Sequence, residues 1–83
     1  MVRKKKPDGG RKIAPQKPEK LIKLFQGLGY EIRRQSGSHV VLIHDKQPLP
    51  ITIPKHSGDV QPEIIQGLIK RAGISRSKYF KLL

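Results

Sequence analysis

Histidines and basic side chains are the groups in this sequence whose types could do chemistry. The chain has three histidines (His39, His44 and His56), no cysteine, and 18 Lys and Arg against six Asp and Glu. An imidazole titrates near neutral pH and can act as a general acid or base. Cations beside it would hold a phosphate group. Such a set is sufficient to cleave RNA, because the 2′-hydroxyl is an internal nucleophile.

Other kinds of site are poorly supported by the spacing. Ser38 and His39 are neighbours at a predicted strand, so their side chains point to opposite faces and cannot form a nucleophilic dyad. His39 and His44 are five residues apart, which also places them on opposite faces, and no spacing resembles a zinc ligand cluster. No glycine-rich phosphate loop precedes a helix. The sequence therefore predicts neither a metal nor a cofactor. The acidic residues that could be paired for acid–base work fall in unrelated elements: Glu31, Asp45, Asp59 and Glu63.

Length and charge limit the function further. Eighty-three residues make one small domain, and the net charge of +12 indicates a polyphosphate partner, most often nucleic acid. No apolar run approaches the ~18 residues of a membrane span, and the charged N-terminus lacks the apolar stretch of a signal peptide. The absence of cysteine suits a reducing cytosol. We therefore predict a cytoplasmic protein that has no membrane partner.

Half of the excess charge lies in residues 1–20, which hold eight Lys and Arg and two Asp and Glu. This segment has few apolar residues and is interrupted by proline and glycine, so it cannot bury enough surface to offset ordering. We predict a disordered basic tail over residues 1–18 and a folded domain over residues 19–83. The tail is either a solubilising segment or a non-specific RNA-tethering arm. The folded domain stays basic without it.

The apolar pattern predicts a helix, three strands and a second helix. Apolar residues at helical spacing follow Pro18 and stop near Gly27 and Gly29. Alternation over 30–35, a β-branched run over 39–44 and a third segment over 49–53 predict strands joined by tight turns. Pro50 removes a donor from the ladder and should lie at a sheet edge.

A second amphipathic helix begins at Pro62 and ends before Gly73, and Ser75 could cap a last short helix. Three sequential strands form an antiparallel meander, and two amphipathic helices can cover one of its faces. The fold class is therefore α+β in the order α-β-β-β-α. The other face of the sheet is left free to meet a partner.

His39 stands out among the histidines because it follows the turn Ser36–Gly37–Ser38, at the mouth of a hairpin where substrate could approach. A solvated or hydrogen-bonded turn residue is the more common role for such a histidine. His44 is expected to be an ordinary strand-end residue. His56, next to Lys55 in a loop, is a stronger candidate for a functional role than His44 and a weaker one than His39.

Several short motifs occur together in an order that resembles the HicA toxin family, also called YcfA-like. The resemblance covers residues 19–83 and leaves the basic tail outside. Gly-Ser-His alone is a weak tripeptide, but the set is specific for a chain of this size. The motifs are Gly29–Tyr30, Arg34–Gln35, Gly37–Ser38–His39, Ile53–Pro54–Lys55–His56 and Arg71–Ala72–Gly73–Ile74–Ser75.

The resemblance implies a double-stranded-RNA-binding-domain-like fold and a metal-free endoribonuclease that cleaves mRNA until a HicB antitoxin binds it. It assigns the catalytic role to His39, while the role of His56 in the family is less settled. The alternatives are a non-catalytic RNA-binding domain, which would not need His39, and a basic protein–protein adaptor, which would expose an apolar patch.

Residues near the scissile phosphate are predicted to contact RNA. Arg33 and Arg34 should point to opposite faces if their strand is regular, so that only one of them matters strongly. The predicted RNA-binding residues are Gly37, Ser38, Arg34, Lys55 and His56.

Overall fold

The computed structural model describes residues 12–55 and 58–83, and it confirms the α-β-β-β-α order. A third, short helix follows, as the Ser75 cap suggested. No helix in the described ranges is long and apolar enough to cross a membrane. The elements are α1 (Pro18–Gly27), β1 (Glu31–Ser36), β2 (His39–His44), β3 (Gln47–Pro54), α2 (Pro62–Ala72) and α3 (Arg76–Leu82).

The helix boundaries follow local sequence chemistry. A proline occupies the first turn of both α1 and α2, where its missing N–H has no intrahelical partner to lose. Gly73 ends α2 in a left-handed conformation with φ of 75°. The Ser75 side chain accepts a hydrogen bond from the Lys78 amide at 3.0 Å and so begins α3.

The three strands form one antiparallel sheet in the order β1-β2-β3, so β3 and its Pro50 lie at an edge as predicted. The helices cover one face of this sheet, which we call the covered face, and the opposite face is the open face. Val40 and Leu42 of β2 and Ile51 and Ile53 of β3 are fully buried on the covered face. The other core residues come from the helices and their flanks: Ile13, Leu21, Ile22, Leu24, Phe25, Tyr30, Val60, Ile65, Leu68, Ile69, Ala72 and Tyr79.

Strand β1 differs from its prediction. Alternation predicted a half-buried strand beginning at Tyr30, but all six residues of β1 are exposed, and Ile32 is 44% exposed. Tyr30 is buried at 4% exposure, although it precedes the strand. Helices α1 and α2 pack most extensively against β3, at the other side of the sheet. Apolar alternation identified the strand but could not show that the helices leave it uncovered.

The segment before α1 is part of the fold. Ile13 is buried in the core, and Gln16 forms an antiparallel bridge with Val60 through hydrogen bonds of 3.2 and 2.7 Å. Residues 1–11 lie outside the described residues, so the disordered tail stays a prediction there. Residues 12–18 do not fit that prediction, because one buried isoleucine and a backbone bridge give them the contacts that composition alone did not reveal.

Candidate active site

The turn before His39 is a two-residue hairpin loop. Ser36 pairs with His39, which leaves Gly37 and Ser38 as the loop. Gly37 has φ of 57°, and no other residue type in the described chain has positive φ. A positive φ at only the first loop residue is the pattern of a type II′ turn, which favours glycine there. Nothing lies within 4 Å of a Cβ built on Gly37, so its requirement is conformational. The turn fixes His39 as the first residue of β2.

The strand register places His39 on the open face. Val40 is buried on the covered face, so its neighbours His39 and Val41 project to the opposite side. Across the sheet, Pro54 of β3 pairs with His39 and Thr52 pairs with Val41. The side chain of His39 is exposed and makes no hydrogen bond or ring contact with another described residue. Its imidazole therefore faces solvent at the hairpin end of the sheet.

A β-bulge brings Arg34 to the same face. Ile32 pairs with Leu42, but Arg34 pairs with Val41, so that Arg33 is an extra residue in β1. Opposite residues in an antiparallel pair share a face, which places Arg34 beside Val41 on the open face. Arg34 is then the diagonal neighbour of His39, at roughly 7–8 Å between backbones. Arg33 and Arg34 are expected to point to opposite faces only if their strand is regular. The bulge makes β1 irregular, so this condition is not met.

Lys55 reaches the site from the other side of β2. It follows Pro54 directly, and its amide donates a hydrogen bond to the carbonyl of Ser38 in the hairpin loop. The start of the loop after β3 is thus tied to the turn that precedes His39. His56 lies outside the described residues. Five of the six predicted site residues therefore meet at one end of the sheet: Arg34, Gly37, Ser38, His39 and Lys55.

The electrostatics of this end are uniformly basic. No carboxylate in the described ranges pairs with Arg33, Arg34 or Lys55. Cations without an acidic partner remain available to an external anion. The same ranges contain no group of three or more His, Asp or Glu side chains that could hold a metal ion. This end offers acid–base and electrostatic chemistry to a phosphate group.

Arg34, Gly37 and His39 are exposed, whereas Ser38 and Lys55 are half-buried. One depression of about 510 Å³ lies against α2 and α3, and its lining contains none of the site residues.

His44, at the other end of β2, has a structural role that the sequence did not reveal. Its Nδ1 accepts a hydrogen bond from the Lys46 amide at 2.9 Å, and its Nε2 lies 3.1 Å from the carbonyl of Leu28. Since Nδ1 accepts, the proton of the neutral ring is on Nε2 and is donated to Leu28. The ring also packs edge-on against Tyr30 at 5.0 Å. His44 closes the end of α1 against the sheet.

The Gly29–Tyr30 motif belongs to this structural contact. Gly29 has φ of 103°, and a Cβ there would lie 2.8 Å from Nε2 of His44. Glycine is required both by the backbone conformation and by the approach of the histidine. The motif therefore shapes the fold at the end of the sheet opposite to His39.

The fold and this surface define a small α+β protein with one helix-covered sheet face and one open, basic face that carries a histidine. A family model described as the HicA toxin of bacterial toxin–antitoxin systems matches residues 18–74. The chain therefore belongs to the HicA toxin family, as its motifs predicted, and the family implies an antitoxin partner. The match begins after Ile13 and Gln16, so it does not include the segment that bridges to Val60. A comparison with curated proteins finds no match.

Proposed function

We propose that this toxin is a metal-independent endoribonuclease that cleaves mRNA, with His39 as its catalytic acid and base. The observation that carries the proposal is the position of His39. It is exposed on the open face, without a partner among the described residues, and it lies between Arg34 on β1 and Lys55 after β3. A histidine without a structural contact, placed among unpaired cations, suits proton transfer at a bound phosphodiester.

The proposed reaction uses the RNA as its own nucleophile. The neutral imidazole of His39 accepts the proton of the 2′-hydroxyl while that oxygen attacks the adjacent phosphorus. The bond from phosphorus to the 5′-oxygen breaks, which leaves a 2′,3′-cyclic phosphate and a 5′-hydroxyl end. The protonated imidazole, or a water that it polarises, returns the proton to the leaving oxygen. No metal or cofactor takes part.

Arg34 and Lys55 hold the phosphate in this proposal. Negative charge grows on the non-bridging oxygens as the nucleophile attacks, and nearby cations stabilise it more strongly than the ground state. Gly37 and Ser38 contribute by keeping the hairpin loop tight, so that RNA can approach His39. His56 is proposed as a further RNA contact because it follows Lys55 in sequence.

The test compares RNA cleavage by the purified wild type and by His39→Ala in excess EDTA. We expect the variant to be ~10²–10⁴-fold slower, because that is the usual contribution of a general acid or base. Its melting temperature should be unchanged, since the His39 side chain is exposed and makes no hydrogen bond with a described residue. Thr52→Ala, on the same face, is the matched control and should cleave at the wild-type rate. A His39→Ala protein that cleaves as fast as the wild type removes His39 from the mechanism.

A non-catalytic RNA-binding domain is the alternative, because the same cations could bind RNA without cleaving it. The two functions differ in the products. Cleavage through the 2′-hydroxyl leaves 2′,3′-cyclic phosphate ends, which end-group analysis detects, whereas a binding domain leaves the RNA intact. Binding that is equally tight for the wild type and His39→Ala, with no cleavage by either, would establish the alternative.

The proposed antitoxin is a small HicB-like protein that covers the open face. It should stop cleavage at about one inhibitor per toxin and slow solvent exchange over residues 37–40. Inhibition that leaves this segment as exposed as in the free toxin would show that the antitoxin acts elsewhere. An mRNA substrate and this partner both place the toxin in the cytoplasm.

A further inference from the structure

The two edges of the sheet differ in their capacity to accept another strand. β3 contains Pro48, Pro50 and Pro54, which have no amide proton to donate. The carbonyl of Pro50 also accepts a hydrogen bond from Nε of Arg71 in α2 at 3.0 Å. Proline and side-chain cover are both common ways of protecting a sheet edge. The β3 edge is therefore blocked.

The β1 edge has neither form of protection. Its six residues contain no proline, all of them are exposed, and its ladder pairs only with β2. The helices pack mainly against β3, and every residue of β1 is exposed, so the described helices leave β1 largely uncovered. An uncovered edge strand presents its outward N–H and C=O groups to any extended segment that approaches.

The charge of the β1 side chains determines which kind of segment can pair with this edge. Arg33 and Arg34 lie at its centre, and neither pairs with a described carboxylate. A second copy of the chain that pairs about the Arg33–Arg34 centre would bring arginine against arginine, which is unfavourable in cross-strand pairs. A strand that carries Asp or Glu would meet complementary charge instead.

We propose that the β1 edge binds an extended acidic segment of a partner protein by strand addition. The inference rests on the proposed function in one respect, which is that the natural partner is the antitoxin. The bulge at Arg33 leaves residues 34–36 as the longest regular stretch of the edge. This stretch pairs with the beginning of β2, where His39 lies. With strands ~4.8 Å apart, an added strand lies about 10 Å from the β2 backbone and flanks the site.

The experiment uses the isotope-labelled full chain and two synthetic hexapeptides, one alternating valine with glutamate and one alternating valine with lysine. We expect the glutamate peptide to slow amide exchange in β1 and to leave β3 unchanged, and the lysine peptide to have no effect. Protection centred on β3 or on α2 would overturn the proposal. Protection of β1 that grows with protein concentration alone, without peptide, would show that a second copy of the chain is the occupant.

Charge reversal separates strand addition from general attraction to a basic protein. Arg33→Glu should weaken binding of the glutamate peptide roughly tenfold and make β1 accept the lysine peptide. Lys23→Glu, at an exposed position on α1, is the matched control for the change in net charge. Its binding of both peptides should equal that of the wild type. An equal loss in the two variants would reject a β1 site. Because no RNA is present, this outcome is independent of whether the protein cleaves RNA.

Discussion

Strand β2 begins and ends with a histidine, and the two side chains have opposite surroundings. At the end of the strand, both ring nitrogens of His44 are occupied, by Leu28 and Lys46, and Tyr30 packs against the ring. At the beginning, the His39 side chain is exposed and makes no hydrogen bond or ring contact with a described residue. One sheet thus uses the same residue type in two ways.

The difference shows how to separate a structural from a reactive imidazole. A ring whose nitrogens both bond to the backbone is fixed in one tautomer and cannot exchange a proton without losing one of those bonds. A ring that faces solvent between cations is free to do so. The sequence singled out His39 by the turn before it and predicted an ordinary strand-end residue at His44, but it did not show that both ring nitrogens of His44 are hydrogen-bonded.

Replacing His44 tests the structural end of this comparison. His44→Ala leaves the Leu28 carbonyl and the Lys46 amide without their partner and removes the ring contact to Tyr30. We expect a loss of about 2–4 kcal/mol in the free energy of unfolding, measured by urea denaturation. Below its melting temperature the variant should still cleave RNA. Wild-type stability in His44→Ala would contradict a structural role for His44. A loss of more than about 0.5 kcal/mol in the free energy of unfolding of His39→Ala would contradict the absence of such a role for His39.

Replacing either of two glycines at the end of α1 with alanine should change the free energy of unfolding, in opposite directions at the two positions. Gly29→Ala forces a side chain into a positive-φ position and against the His44 ring, which should cost about 1–3 kcal/mol in unfolding free energy. Gly27→Ala meets nothing within 4 Å and should stabilise the helix end by up to ~1 kcal/mol. In a double-mutant cycle, Gly29→Ala should cost less when His44 is already alanine. Additive effects would show that the close approach to His44 does not matter.

Salt dependence compares basic residues at the two ends of β2. Each phosphate that a protein neutralises on single-stranded RNA contributes a slope of about −0.7 to the plot of log binding constant against log salt. Arg34→Gln should make the slope shallower by about this amount. Lys46→Gln, in the turn beside His44, should leave it unchanged. Equal changes in the two variants would mean that RNA does not bind preferentially at the end of the sheet that carries His39.

Alkaline pH tests the burial of Tyr30 beside His44. Burial raises the pKa of Tyr30, and also that of Tyr79, above the ordinary value near 10. A raised pKa means that the unfolded chain loses the proton first. The stabilising contribution is therefore complete below pH about 10 and is lost as pH rises through the folded pKa values. Tyr30→Phe should reduce this loss of stability at alkaline pH. The measurement is the free energy of unfolding from denaturation curves at several pH values. The same pH dependence in the variant and the wild type would argue against the burial of the Tyr30 hydroxyl.

Local chemistry was sufficient to predict several features of the fold. Pro18 and Pro62 in first turns, Gly73 after α2 and the Ser75 cap act over a few residues, so their effects can be read without knowing the fold. The family motifs likewise singled out His39, whose catalytic role stays a proposal. The exposure of β1, the attachment of Ile13 and the contacts of His44 could not be predicted, because each depends on segments far away in the sequence.

The sequence by itself determined the order of the elements, the hairpin turn at Gly37 and the placement of His39 and His44 on opposite faces of their strand. These follow from backbone conformation and from the two-residue period of a strand. Only the tertiary structure decided that Arg34 joins His39, that Lys55 is tied to the hairpin, and that β1 stays uncovered. Bulges and the placement of helices on a sheet depend on how layers pack, and a pattern within one segment does not encode the position of the segment beside it.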